Sequence, residues 1–543
     1  MELPPHPLAV QQPFWPKRDA SHLLVSGSDM AALEQELFES GLPVEALMEK
    51  AALAMAQRLQ QQDWWPQLQR RGALVLVGPG HNGGDGLVVA RELHLAGIAV
   101  QTWSPFDRRK PLTESHRRHA RWLGIEERNT PPEPGDAAVW IDALFGIGQS
   151  RAPEAALQTL LAAREKAQPG LLIALDGPTG LCADRGEPLG QSAASAALTL
   201  SIGLIKQGFL QDHALRWVGT VERIDLGLPQ TMLNRLPVPQ PLALQRRDLA
   251  SAPWPRTDAA ASKYQRGRLL VVAGSNTYRG AAQLCLAGAS ASGCGSVRAA
   301  LPSEVCHTLW QAQPHVVVSA ALDSLSRGEL SLCGLSTTAL ERIDAVAVGP
   351  GIGAIQQEET AAEAASWERL QQLEAVLVID ADGLQRIQQM GGRSWLQQRR
   401  GPTWLTPHPG EFARLFPDWA MLPPLSSAAR AAEACSGQQP CSVVLKGARS
   451  VVAAADGRRW QISQASPNAA RAGLGDVLAG YAAGLAARSR HGDASVLATA
   501  VLAHACAGLD ASASEGSGGA TPMAVAMQLQ KKENTTKNPN PAI

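Results

Sequence analysis

The chain has 543 residues, and its 49 Lys+Arg balance 49 Asp+Glu to a formal charge of zero. Single cores stop growing at about 250–300 residues, so this length predicts several domains. Zero net charge argues against a nucleic-acid coat or a polybasic membrane binder, and 45% hydrophobic with 18% charged residues excludes a disordered chain.

The N-terminus carries Pro4, Pro5, Pro7, Pro13 and Pro16 and lacks a basic start followed by an apolar stretch. It reads as a loose leader, not a signal peptide. No apolar run approaches the roughly 20 residues of a membrane span. Eight cysteines occur without a Cys-x-x-Cys pair, which suits free thiols in a reducing cytoplasm better than a zinc site. His116 and His119 lie among Arg117, Arg118 and Arg121, the pattern of a solvated helix face. A cytoplasmic protein is expected, with small-molecule substrates, no nucleic-acid or membrane partner, and a homo-oligomeric assembly.

Proline density marks the joint between two halves: Pro229, Pro237, Pro239, Pro241, Pro253 and Pro255 fall within 27 residues. The expected division is a leader over 1–25, a first domain over 26–228, a proline-rich linker over 229–262, a second domain over 263–529 and a flexible tail over 530–543. Both halves repeat one pattern: a short apolar run, a polar or glycine turn, then a helical segment. Such runs start at residues 73, 138 and 171 in the first half and at 269, 345, 375 and 442 in the second. Continuous apolar strands alternating with helices predict parallel sheets covered on both faces, hence an α/β protein. Ligands in such sheets bind beyond the carboxyl ends of the strands, where every one of these turns falls.

In the first half, His81-Asn82-Gly83-Gly84-Asp85-Gly86 follows a strand and opens a helix. Glycines let backbone approach a ligand, and the helix start presents free N–H groups to an anion; a plain Asn-Gly turn is the alternative. Asp142 and Asp176 each end a strand. One such Asp is often only a cap, but two converging with Asn82 supply the oxygens of a hard-cation site.

These motifs, with Asp142-Ala143-Leu144-Phe145-Gly146 and Asp176-Gly177-Pro178-Thr179-Gly180, resemble the YjeF N-terminal domain, the NAD(P)H-hydrate epimerase. The resemblance implies a Rossmann-like three-layer fold. It implies that hydrated NAD(P)H contacts His81, Asn82, Gly83, Gly84 and Asp85. Further contacts are implied for Gly146, Ile147, Gly148, Gln149, Ser150, Arg151, Ala152 and Asp176. Potassium would be held by Asn82, Asp142 and Thr179, and Asp142 is the catalytic candidate. The family usually has Asn at the place of His81 and Ser at the place of Thr179.

In the second half, Ala472-Gly473-Leu474-Gly475-Asp476 precedes an apolar helix. Backbone N–H groups there can clamp a transferring phosphoryl group, and Asp476 can take the proton of an attacking hydroxyl. No Gly-x-x-x-x-Gly-Lys-Ser/Thr occurs, which argues against a P-loop enzyme. His408 stands between Pro407 and Pro409. Lys446-Gly447-Ala448-Arg449-Ser450 follows a strand and suits nucleotide phosphates, with a hairpin turn as the alternative.

Together with Gly349-Pro350-Gly351-Ile352-Gly353 and Asp380-Ala381-Asp382-Gly383-Leu384, these residues resemble the NAD(P)H-hydrate dehydratase, which has a ribokinase-like fold. The resemblance implies that Ala281, Gly353, His408 and Asp476 contact the hydrated cofactor. Lys446, Gly447, Ala448, Arg449, Ser450 and Gly475 would contact the adenine nucleotide. Ala472 and Gln385 depart from the family's usual Gly and Asn. The two halves together resemble the bifunctional NAD(P)H-hydrate repair enzymes, which implies epimerisation followed by ADP-driven dehydration, with magnesium accompanying the nucleotide. The rival readings are a vitamin or sugar kinase with an accessory nucleotide-binding domain, and a first domain that only binds.

Overall fold

The computed structural model describes residues 15–61, 63–464, 469–514 and 520–533. The chain divides by its contacts into two compact units: residues 19–241, and residues 242 onward together with 15–18.

The first unit is built on a seven-stranded sheet, parallel throughout. From edge to edge its strands are Glu126–Arg128, Val100–Trp103, Ala73–Val77, Val139–Ala143, Leu172–Leu175, Leu198–Ile202 and Thr220–Ile224. The four central strands, from Ala73–Val77 to Leu198–Ile202, are buried along their whole length, as a sheet covered on both faces requires. The chain runs outward from Ala73–Val77 in one direction, then returns and builds in the other from Val139–Ala143. The reversal opens a crevice between these two strands. Gly78 closes onto it so tightly that a Cβ would sit 1.6 Å from the Leu144 carbonyl oxygen.

The second unit carries a ten-stranded sheet. Its order is Leu242–Leu244, Arg459–Ile462, Val451–Ala454, Cys441–Leu445, Thr403–Leu405, Val376–Ile379, Ala345–Val348, Arg268–Val272, Ser296–Pro302 and Val317–Leu322. All neighbours are parallel except the two pairs made by Val451–Ala454. Here the reversal lies between Arg268–Val272 and Ala345–Val348. Helices Arg279–Ala291 and Leu474–Ser489 meet backbone to backbone. A Cβ on Gly480 would lie 1.9 Å from the Cys285 carbonyl oxygen, and one on Gly288 would lie 2.1 Å from that of Val477. That approach brings the start of the second helix to the carboxyl edge of the sheet.

Three sequence expectations need correction. The expected leader over 1–25 runs too far: Leu24–Val25 pairs in parallel with Ile205–Lys206, and a helix starts at Gly27 behind a Ser26–Asp29 capping box. Residues 1–14 lie outside the described residues. The expected linker over 229–262 contains Leu242–Leu244, a buried strand paired with Arg459–Ile462. Pro241 directly precedes it at the sheet's edge, where a missing N–H costs no ladder bond. Finally, helix Ala494–Ser514 is long and apolar enough to match a membrane span, with mean hydropathy 1.5, but 78% of that stretch is buried inside the unit. Its apolar residues face protein on all sides, as in a core helix. Residues 534–543 of the expected tail lie outside the described residues, as do residues 515–519.

Candidate active sites

Helix His81–Leu95 begins directly after the turn that leaves strand Ala73–Val77, and its first turn is buried at the reversal crevice. Asn82 is 9% exposed, and both ends of its amide lack a hydrogen-bond partner. A buried amide left unmatched in this way costs free energy unless something occupies the space beside it. Asp142, fully buried, accepts from the Thr179 N–H at 2.8 Å, the Thr179 hydroxyl at 2.7 Å and the Leu144 N–H at 3.2 Å. Desolvation still pushes its carboxyl up to about 6 against the pull of these donors.

Asp176 stands at the end of the next strand with φ of 63°. A side chain held in the left-handed region is strained, and such strain collects at functional sites. It accepts from Lys206 Nζ at 2.8 Å and from the Ile147 N–H at 3.0 Å. Lys206 is wholly buried and also donates to the Ile202 carbonyl at 2.7 Å. Asp85 is pushed far up by desolvation, then by the charges of Asp176 and Glu34.

A cavity of about 440 Å³ opens over these groups. His81, Asn82, Asp85, Gly146, Ile147, Gly148, Gln149 and Asp176 line it. Ser150, Arg151 and Ala152 line a neighbouring cavity of about 830 Å³ walled by Trp103, Phe106 and Phe145, to which Gly148 and Gln149 also belong. Gly83 and Gly84 line neither. A Cβ on Gly83 would lie 2.1 Å from the Gly78 carbonyl oxygen, and one on Gly84 would lie 2.7 Å from the Met48 sulfur. Their smallness lets the helix close onto its strand.

In the second unit, Gly473 adopts φ of 91° immediately before helix Leu474–Ser489, a backbone turn that a side chain would strain. Gly475 and Asp476 form the first turn. Desolvation raises the Asp476 carboxyl to about 7; Asp380 adds to the rise and Lys446 opposes it. Lys446 donates to Asp380 at 2.6 Å and lies 3.7 Å from Glu411, while the Thr406 hydroxyl donates to Asp380 at 2.8 Å. Burial alone would lower the Lys446 ammonium, but Asp380 and Glu411 outweigh it and hold it charged.

Lys446–Ser450 is a hairpin turn between two antiparallel strands. Four of its residues, Lys446, Gly447, Ala448 and Ser450, also line a cavity of about 330 Å³ with Gly475 and His504. Arg449 is buried outside that lining. His408 caps helix Pro409–Leu415: its Nδ1 accepts from the Gly410 N–H at 3.0 Å, and its ring stays about half exposed. Gly353 donates its N–H to Asp382 at 2.9 Å, and its carbonyl is held by Arg386, which pairs with buried Glu363 at 2.8 Å. Gly351 touches Ala281 closely: a Cβ on it would lie 2.5 Å from that of Ala281.

Residues 44–208 match the YjeF-related protein N-terminus, and residues 269–531 match the NAD(P)H-hydrate dehydratase family. The chain is 39% identical over 492 residues to the bifunctional NAD(P)H-hydrate repair enzyme Nnr of Synechocystis sp., covering 90% of each chain. It is 40% identical over 493 residues to that of Gloeobacter violaceus, covering 89% of this chain and 92% of the relative. The chain belongs to the bifunctional NAD(P)H-hydrate repair enzyme family. Among solved structures it is similar to an ADP/ATP-dependent NAD(P)H-hydrate dehydratase from Bacillus subtilis, at 22% identity and a TM-score of 0.43, covering 55% of this chain and 100% of that one.

In the first unit the candidate residues gather at the sheet reversal; in the second they gather at the start of helix Leu474–Ser489 and at the ends of strands Val376–Ile379, Thr403–Leu405 and Cys441–Leu445. Sequence reading missed Glu34, Lys206, Arg386 and His504. Burial raises the Glu34 carboxyl to about 7 and lowers the His504 imidazole to about 4. Each of these residues stands outside a recognisable turn, so only tertiary structure brings it to a site. Asp142 and Thr179 are joined by a hydrogen bond and the Asn82 amide is unmatched; oxygen donors of these kinds suit a hard cation.

Proposed function

We propose that the first unit interconverts the R and S epimers of hydrated NADH and NADPH, and that the second dehydrates the S epimer at the expense of ADP, giving AMP and phosphate. The observation that carries this reading is Asp476, a carboxyl raised to about 7, set in the first helical turn directly after Gly475, which lines a cavity of about 330 Å³ with Lys446 and Ser450.

Asp476 takes the proton of the substrate hydroxyl as that oxygen attacks the terminal phosphorus of the nucleotide. The N–H groups at the start of helix Leu474–Ser489 face the charge that develops on the phosphoryl oxygens. Phosphate then leaves with the C–O electron pair and the neighbouring carbon gives up its proton, restoring the ring double bond. Hydroxide is a poor leaving group and phosphate a good one, which is why a nucleotide is spent. Lys446 holds positive charge next to the phosphate path, and magnesium accompanies the phosphates.

In the first unit, Asn82, Asp142 and Thr179 would hold potassium, which supplies fixed positive charge to a buried anionic site. Hydrated cofactor would lie over Asp85 and Asp176 and along residues 146–152. Small-molecule substrates, a homo-oligomeric assembly and a cytoplasmic setting complete the reading, with the two activities divided at residues 241 and 242.

The test is incubation of the full chain with mixed epimers of NADPH hydrate and ADP or ATP, following recovery of NADPH and release of phosphate. Full recovery with stoichiometric phosphate is expected. A phosphorylated product that accumulates would instead mark a kinase of the ribokinase type.

A further inference from the structure

Helix Gly27–Glu39 buries Met30 and Leu33 against the first unit. Glu34 and Phe38, one and two turns beyond Met30, fall on the same stripe and line the 440 Å³ cavity. A carboxyl at such a position is unexpected, because the face around it is apolar. Among the described residues Glu34 has no hydrogen-bonded partner, whereas Asp176 on the same wall accepts from Lys206 and from the Ile147 N–H. Glu34 shares the cavity wall with Asp176, whose charge acts on it and whose own carboxylate is held by the buried ammonium of Lys206. The other titratable groups on the cavity wall are Asp85, His81 and Lys110.

Division of labour follows from these partners. Asp142 is tied up by three donors, and Asp176 is fixed by Lys206 and the Ile147 N–H. Asp85 lies in the first turn of helix His81–Leu95, where desolvation first and the charges of Asp176 and Glu34 next push its carboxyl up. Glu34 lines the cavity, half-buried, and its carboxyl is raised to about 7 through burial first and the negative charge of Asp176 second, with Lys206 opposing.

We propose that Glu34 is the acid–base residue of the epimerase site, acting directly on the hydroxyl of the hydrated nicotinamide ring. The inference rests on the epimerase reading of this cavity. Water added across an enamine-type double bond leaves its hydroxyl on the carbon next to the ring nitrogen. Glu34 gives its proton to that hydroxyl oxygen. The C–O bond breaks, its electron pair goes to the departing water, and the nitrogen lone pair forms a C=N bond. Water then adds to the opposite face, the C=N pair returns to nitrogen, and the surplus proton of the added water returns to the Glu34 carboxylate. No electrons are gained or lost overall, and the neighbouring Asp176 carboxylate stabilises the transient positive ring.

The experiment uses the full chain and separated R and S epimers of NADPH hydrate, with epimer exchange followed chromatographically in the absence of nucleotide. Glu34→Gln is expected to slow exchange by at least about 10²-fold. Dehydration of the S epimer with ADP by the same preparation should be unchanged, which reports an intact chain. Glu34→Asp should recover part of the rate. In the unaltered chain exchange should fall as pH rises through about 7, because the acid form starts the reaction, and Glu34→Gln should lack that fall. A Glu34→Gln variant that exchanges within about threefold of the unaltered rate, or keeps the same pH limb, overturns the proposal. Absence of exchange in the unaltered chain would overturn the epimerase reading itself and the proposal with it.

Discussion

Lys446 donates to Asp380 across 2.6 Å, and Gly475 leaves room for the pair: a Cβ there would lie 3.3 Å from the ammonium and 3.7 Å from the carboxylate. The two charges act on Asp476 in opposite senses, Asp380 raising its carboxyl and Lys446 lowering it. The proton affinity of the proposed base is therefore set by a neighbouring ion pair as well as by burial.

The first prediction is a pH profile. A base must be ionised, so dehydration should rise with pH through about 7, the value to which Asp476 is raised. Lys446→Met removes the charge that opposes the rise, so this limb should move to higher pH, with weaker nucleotide binding beside it. Steady-state rates of S-epimer dehydration across pH would check this. A limb that stays in place in Lys446→Met would remove Lys446 as an electrostatic partner of Asp476.

The second concerns Asp476 itself. Asp476→Asn keeps the shape and removes the base, so dehydration should fall by at least the ~10²–10⁴ typical of a lost general base. Epimer exchange should be untouched, since that site lies in the other unit. Near-normal dehydration would exclude this role.

The third concerns the cation. Asp142 has its carboxyl raised from 3.8 to about 6. With the folded value above the unfolded one, the protonated form is favoured on folding. That contribution is complete below about pH 4 and is lost as pH rises through about 6. A cation beside the ionised carboxylate offsets the loss. Potassium should therefore raise the thermal midpoint more at about pH 8 than at about pH 5, and Asp142→Ala should abolish the difference. Epimer exchange should collapse in Asp142→Ala while dehydration persists. Equal potassium effects at both pH values would place no cation against Asp142.

Much of both sites was legible because catalytic turns at strand ends are local. The run from Gly78 to Gly86 and the run from Gly473 to Asp476 announce themselves by glycine and by position after an apolar strand. The parallel sheets followed from the same runs. Lys206 was not legible: it stands in Leu204-Ile205-Lys206-Gln207, a stretch with no signature, and becomes a site residue only because Leu24–Val25 and Ile205–Lys206 pair and turn it inward to Asp176. Glu34 was hidden in the same way, on a helix whose polar residues look solvated until its stripe is placed against the cavity. The proline-rich joint misled in the opposite direction. Prolines bounded the short strand Leu242–Leu244 without preventing it, because an edge position tolerates a neighbour that cannot donate.

The last prediction follows from that strand. Leu242, Ala243 and Leu244 are buried against Arg459–Ile462, so the second unit begins at residue 242. Trp15 extends it: its indole donates to the Asp248 carbonyl at 3.1 Å, and the Trp460 indole donates to the Trp15 carbonyl at 2.9 Å. A segment of residues 19–241 should fold alone and exchange epimers. A segment of residues 242–543 should fold and dehydrate the S epimer, with full recovery of mixed epimers once the two are combined. A segment starting at 245 loses two buried leucines and an edge ladder, which should lower its stability by roughly 3–6 kcal/mol at about 1.5–3 kcal/mol per leucine. Urea unfolding of the two versions gives the comparison. If the segment from 245 is as stable as the one from 242, the strand does not belong to the core of this unit and the boundary lies further along the chain. If residues 19–241 are soluble but exchange no epimers while the intact chain does, the first site needs residues outside its own unit.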